Sequence, residues 1–136
     1  MTGNSKRASE KAKVILDGAK QEFLKHGYAA ASMDRIAIAA GVSKPTIYNH
    51  FENKEGLFAA IVDRIAKERC AAVLKNQDPQ SFEGEIEQVL RNISIRFFET
   101  TRNDTEFLAL IRLIIGESGR FPELAKSLIL SLDRPV

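Results

Sequence analysis

The sequence predicts an all-α fold, and three observations carry that expectation. Apolar residues recur at spacings of three and four through most of the chain, the signature of one helical face. Long stretches are rich in Ala, Leu, Ile, Lys and Glu, with only 8 Gly and 4 Pro in 136 residues, a choice that favours helix. Serine, asparagine and glycine stand where such helices would begin and end, as caps should.

Residues 8–26 read as the first helix, with Ile15, Leu16, Ala19 and Phe23 on one face. Lys25 and His26 fall in its last turn, where His26 is expected as a helix-end cation, and Gly27 ends it. A second helix of about two turns begins after Ser32, turns Ile36, Ala37 and Ala40 inward, and stops at Gly41. Ser43 can cap a third, with Pro45 in the first turn, where its missing N–H leaves no partner unmet. Ile47 and Phe51, four apart, are expected to face the core together.

Asn53 caps a fourth, longer helix over about 54–76, with Leu57, Phe58, Ile61 and Ile65 as its inner stripe. The polar run NQDPQS at 76–81 is the one clear break in composition. Beyond it, 82–101 reads as a helix burying Ile86, Val89, Leu90, Ile93 and Phe97. The segment 105–118 is apolar nearly all round, so it must be covered on several sides. Gly119, in GESG at 116–119, is expected to cap it. A last helix over 121–132 carries Leu124, Leu128, Ile129 and Leu132, with Pro122 in its first turn.

Apolar residues make up 44% and charged residues 28%, the balance of a folded soluble chain. The net charge of +2 says little, but residues 1–54 hold nine Lys or Arg against five Asp or Glu, and 55–136 hold eleven against thirteen. A basic amino-terminal third suits a polyanion; chance asymmetry is the plain alternative. Cys70 is the only cysteine and His26 and His50 the only histidines, which excludes an intrachain disulfide and a zinc ligand set. Neither the first twenty residues nor FLALIRLII, interrupted by Arg112, makes a signal peptide or a membrane span. A cytoplasmic setting without membrane contact follows as the expectation.

Two short helices joined by AAGVS, with the first helix packed across both, form a helix-turn-helix. Ala37 and Ala40 permit close approach, Gly41 supplies the turn, and Ile36, Val42, Ile47 and Phe51 fix the angle that raises the third helix. A raised helix with a donor-rich outer face fits the major groove of double-stranded DNA. Lys44, Thr46 and Asn49 are candidates for base edges, with Pro45 beside them in the first turn. Tyr48, His50 and Lys54 suit phosphates, aided by the N–H groups at the start of the fourth helix. Ser32 and Ser43 could add phosphate contacts, although capping alone explains both.

The run IAIAAGVSKPTIYNHFENKEGLFAAIV at 36–62 closely resembles the signature of the TetR family of bacterial transcriptional regulators. Weaker similarity extends over 12–69, and LALIRLIIGESGRFPELAK is similar to the regulatory domain of the multidrug-efflux-repressor subgroup. The resemblance implies an all-helical protein with a helix-turn-helix DNA-binding domain, here 1–54, and a helical effector-binding domain, here 55–136. It also implies a homodimer that represses transcription from a near-palindromic operator until a small molecule binds. In that family the tyrosine and lysine matching Tyr48 and Lys54 hold the DNA backbone, and the start of the third helix reads bases. Ser32 stands where threonine is more usual, and Asn49 occupies a variable position. The family's dimer is usually built by two further helices, so the chain ending at Val136 is expected to be shortened.

Phe97, Phe98, Phe107 and Ile111 are the candidates to line a pocket for a small apolar or amphipathic effector, with Arg69 and Arg112 to orient a polar group. Core packing and ordinary ion pairing are the plain alternatives, and Cys70 reads as a packing residue. GESG is neither a nucleophile elbow nor a phosphate loop, and no carboxylate and histidine cluster gathers on one segment. No catalytic, metal or cofactor site is therefore expected. A DNA-binding architectural or partner-recruiting protein on the same fold, without a small-molecule ligand, is the alternative reading.

Overall fold

The computed structural model describes residues 2–74 and 83–133, which form seven helices with no strand among them. Helix α1, Thr2–Ala30, outruns the expected helix at both ends. Gly27 interrupts it with φ 80° and ψ 179°, a conformation that side chains avoid. The helix therefore ends where its glycine predicted, and residues 28–30 form a separate turn. Helices α2, Met33–Ala40, and α3, Lys44–Phe51, follow at once. Helix α4, Lys54–Leu74, then packs against α1, α3, α5 and α7.

One continuous core unites these elements. Ile15, Ala19 and Phe23 of α1 meet Ile36, Ala37 and Ala40 of α2, Ile47 of α3, and Leu57, Phe58, Ile61, Val62 and Ile65 of α4. The same cluster continues into Leu110 and Ile114 of α6, Thr105–Glu117, and Leu124 of α7, Pro122–Asp133. Each fully buried large side chain contributes about 1.5–3 kcal/mol. At the junction Phe23, Tyr28, Phe58 and Phe121 form an aromatic cluster, with Tyr28 4.9 Å from Phe121 and 5.4 Å from Phe58 between ring centres. Burial first, then the charges of Glu55, Glu123 and Glu117, pushes the Tyr28 phenol up to about 12.

Several sequence expectations need correction. Helix α5, Ile86–Thr101, starts later than expected, after Gly84 at φ 109°; Phe82 and Asn76 lie outside the described residues. Its anticipated core stripe is largely open: Ile86 is 78% exposed, Leu90 and Phe97 are exposed, and Val89 and Ile93 are half-buried. Helical period identifies an apolar face but not a partner for it, and α5 packs chiefly on α4. Helix α6, by contrast, is covered on several sides as expected: it packs on α1 and α7, its Phe107 meets Phe97 of α5, Leu110 and Ile114 are buried, and Ile115 alone of its large apolar residues is exposed.

Gly119 is no cap, because Ser118 ends α6 in right-handed conformation and positive φ occurs only at Glu52, Gly27, Gly41 and Gly84 among the described residues. In α7, Leu124 is buried and Leu128 half-buried, while Ile129 is exposed; the side chain of Leu132 lies outside the described residues.

Candidate nucleic-acid interface

The start of α2 is tied to α1 by a compact polar cluster. Ser32 Oγ accepts from the Arg35 N–H at 3.3 Å, while the Ser32 N–H donates to Glu22 Oε2 at 3.0 Å. The Arg35 guanidinium lies 2.7 Å from the same carboxylate and donates to the Ala30 carbonyl at 2.9 Å. That guanidinium holds the Glu22 carboxyl below its ordinary value. His26 sits 3.8 Å from Glu22.

At the other end Gly41 adopts φ 68° and ψ 31°, and Val42 N–H closes the helix onto the Ala37 carbonyl at 3.1 Å. Nothing crowds Gly41 within 4 Å of an added Cβ. Its left-handed backbone alone calls for glycine.

Ser43 then caps α3, its Oγ accepting from Thr46 N–H at 3.3 Å and lying 2.7 Å from Thr46 Oγ1. Ile47 is fully buried beneath the helix and Phe51 half-buried, so Lys44, Pro45, Tyr48 and Asn49 turn outward. Tyr48 is 42% exposed. Thr46 and His50 flank this face half-buried, and neither is folded into the interior. Lys44 Nζ pairs with Asp34 on α2 at 2.9 Å, which raises the ammonium's pKa.

The passage from α3 to α4 is unusually tight. Glu52 has φ 67° and ψ −56°, and Asn53 N–H donates to the Phe51 carbonyl at 2.7 Å, a strained γ-turn. Asn53 Oδ1 caps α4 through the Gly56 N–H at 2.7 Å. Lys54, half-buried, donates from Nζ to the Ala29 carbonyl at 3.0 Å and lies 4.9 Å from the centre of the Tyr28 ring. Burial lowers its pKa, opposed by the charges of Glu117 and Glu22.

The candidate residues thus fall in one neighbourhood of sequence: six on α3, Ser32 and Ser43 at helix starts, and Lys54 at the head of α4. Sequence reasoning missed Asp34, Gly56 and Glu117. Only Gly56 carried a signal, as a glycine in the first turn of a helix.

The effector candidates are partly united. Phe97 and Phe98 of α5 line an apolar cavity of about 520 Å³ with Cys70 and Val73 of α4 and Ile93 and Ser94 of α5. Phe107 meets Phe97 edge-on at 5.8 Å. Ile111 is half-buried on α6 away from this lining, and Arg112 is exposed. Arg69 pairs with Asp104 and lies 3.6 Å from Glu106, the inter-helix pairing weighed against an effector role. Among the described residues no group of His, Cys, Asp and Glu could hold a metal ion, and no helix is long and apolar enough to cross a membrane.

Two capped helices about a left-handed glycine, the second lifted on a buried isoleucine, define a helix-turn-helix protein. The profile of bacterial regulatory proteins of the tetR family matches residues 15–61. Over these residues the chain is similar to the amino-terminal segment of the TetR family of transcription regulators.

Among its relatives, the transcriptional repressor AcnR of Corynebacterium efficiens is 33% identical over 99 residues, covering 70% of this chain and 53% of that one. A solved Mesorhizobium loti protein assigned to the TetR-family regulators superposes with a TM-score of 0.73 at 32% identity, covering 92% and 61%. The flavonoid-responsive regulator FrrA superposes at 0.69 with 34% identity, covering 90% and 60%. The chain spans about half the length of the curated relatives it matches.

Proposed function

We propose that this chain is the DNA-binding and part of the effector-binding region of a homodimeric repressor released from its operator by a small molecule. The observation that carries the reading is the outward face of α3, where Lys44, Pro45, Tyr48 and Asn49 stand exposed above the buried Ile47. Residues 1–54 would form the DNA-binding domain and 55–136 the regulatory one, with α4 shared. Lys44, Thr46 and Asn49 would meet base edges, with Pro45 beside them on the DNA-facing side; Ser32, Ser43, Tyr48, His50 and Lys54 would meet phosphates.

Two copies would set their α3 helices about 34 to 36 Å apart in successive major grooves of a near-palindromic site. AcnR is a repressor and FrrA responds to flavonoids, which supports both halves of the proposal. The cavity walled by Phe97 and Phe98 suits a small apolar or amphipathic effector, as the resemblance of 108–126 to multidrug-efflux repressors also implies. Phe107, edge-on to Phe97, and Arg69, beside Cys70 in sequence, would border it and respond to its filling, while Ile111 stands farther off on α6. A cytoplasmic setting follows from contact with the chromosome.

Effector binding would act through α4, which runs from the cavity at Cys70 and Val73 to Lys54. A coupling of about 1 to 3 kcal/mol is enough for strong regulation. The test is titration of the chain with duplex DNA over a range of salt. Affinity that falls steeply with salt supports the reading; no binding at low salt defeats it.

A further inference from the structure

We infer that Glu117, at the far end of α6, is a positioning residue for the DNA-binding surface, an inference that rests on the DNA-binding reading above. Its Oε2 accepts a hydrogen bond from the Tyr28 backbone N–H at 2.8 Å. Its Oε1 lies close against Gly27, where an added Cβ would stand 2.9 Å away. The carboxylate therefore grips the turn at which α1 breaks. That turn needs a grip, since the left-handed φ of Gly27 interrupts the ladder that would otherwise satisfy the Tyr28 amide.

The carbonyls just beyond it are the anchor points of two cations. Ala29 O receives Lys54 Nζ at 3.0 Å, and Ala30 O receives the Arg35 guanidinium at 2.9 Å. Lys54 opens α4 and Arg35 stands in the first turn of α2, the two helix starts that border α3. The Lys54 ammonium also lies 4.9 Å from the centre of the Tyr28 ring. One carboxylate from α6 thus sets the turn, the turn sets both cations, and the cations set two helix starts against the recognition helix. Lys20, which pairs with Glu106 at 3.2 Å, ties the other end of α6 to α1, so Glu117 acts from a fixed support.

The test is binding of the full chain to a labelled random-sequence 30-base-pair duplex at several salt concentrations, with thermal melts alongside. Glu117→Ala should bind about tenfold more weakly, as loss of a charged hydrogen bond implies. Its salt slope should flatten by about one per subunit, as for Lys54→Ala. Glu117→Gln, whose side-chain carbonyl still accepts from Tyr28 N–H, should stay within about threefold of the unaltered chain. In a Lys54→Ala background, Glu117→Ala should add less than about twofold, because coupled residues are not additive.

Unchanged affinity in Glu117→Ala, or equal losses in the two backgrounds, overturns the inference. If Glu117→Ala does not fold, Glu117→Asp, one methylene short of Tyr28, carries the same comparison. Failure of the unaltered chain to bind the duplex would overturn the DNA-binding reading, and this inference with it.

Discussion

Gly56 lies so close to the carbonyl oxygen of Phe51 that a side-chain methyl could not fit between them. The contact fixes how α4 leaves α3, because backbone rather than a flexible side chain stands in the way. Gly56→Ala is expected to destabilise the fold by about 1–3 kcal/mol, the usual cost of forcing a carbon into a filled site. It should weaken duplex binding further, by tilting α3. Thermal melts and a binding titration check both effects.

Glu52 supplies the opposite case. At φ 67° it bears a side chain where glycine is more comfortable. Glu52→Gly should stabilise by at most about 1 kcal/mol, since relief of strain is partly offset by the greater freedom of the unfolded chain. A lower melting temperature would show that the turn is not strained.

The two halves of the proposed interface should separate by experiment. Asn49→Ala or Lys44→Ala is expected to change the preferred DNA sequence, at about 1–3 kcal/mol per lost base contact. Tyr48→Ala should weaken binding to all sequences alike. Selection from random duplex pools decides, and an unchanged motif removes Asn49 and Lys44 from the reading face.

Alkaline stability should report Tyr28. Its pKa, raised to about 12 in the fold against an ordinary 10.0, gives stability that is whole below pH 10 and lost as pH rises toward 12. The loss is about 3 kcal/mol at most. Tyr28→Phe should flatten this limb in melts taken between about pH 9 and 12. Glu22 works in the other direction, because its lowered pKa gives stability that disappears as pH falls through the carboxylate range.

The cavity between α4 and α5 can be filled without touching α3. Ser94→Phe should reduce uptake of a fluorescent apolar dye. Phe98→Ala, at a site 70% exposed, should cost under about 0.5 kcal/mol, against about 3–5 kcal/mol for Phe58→Ala in the core. Equal costs would mean that the outer face of α5 is covered.

Local chemistry made the helix-turn-helix legible. Ser32, Ser43 and Asn53 cap the helices they precede, and Gly41 takes the left-handed turn it was read for. Ile47 is buried as its spacing implied. The period of α5 was equally clear, but nothing in a period says whether Ile86 and Leu90 have anything to pack against. Glu117 was invisible for a different reason, since its partner Tyr28 lies 89 positions away and offers only a backbone N–H. The sequence suggests Lys54 for a phosphate but not that the Ala29 carbonyl takes one of its three donors.

Hydrogen–deuterium exchange with and without duplex DNA tests the central claim most directly, namely that the outer face of α3 enters the duplex. The account predicts slower exchange across residues 43–56 and no change across 86–101. Unslowed exchange at 43–56 under conditions where the duplex is bound would contradict it.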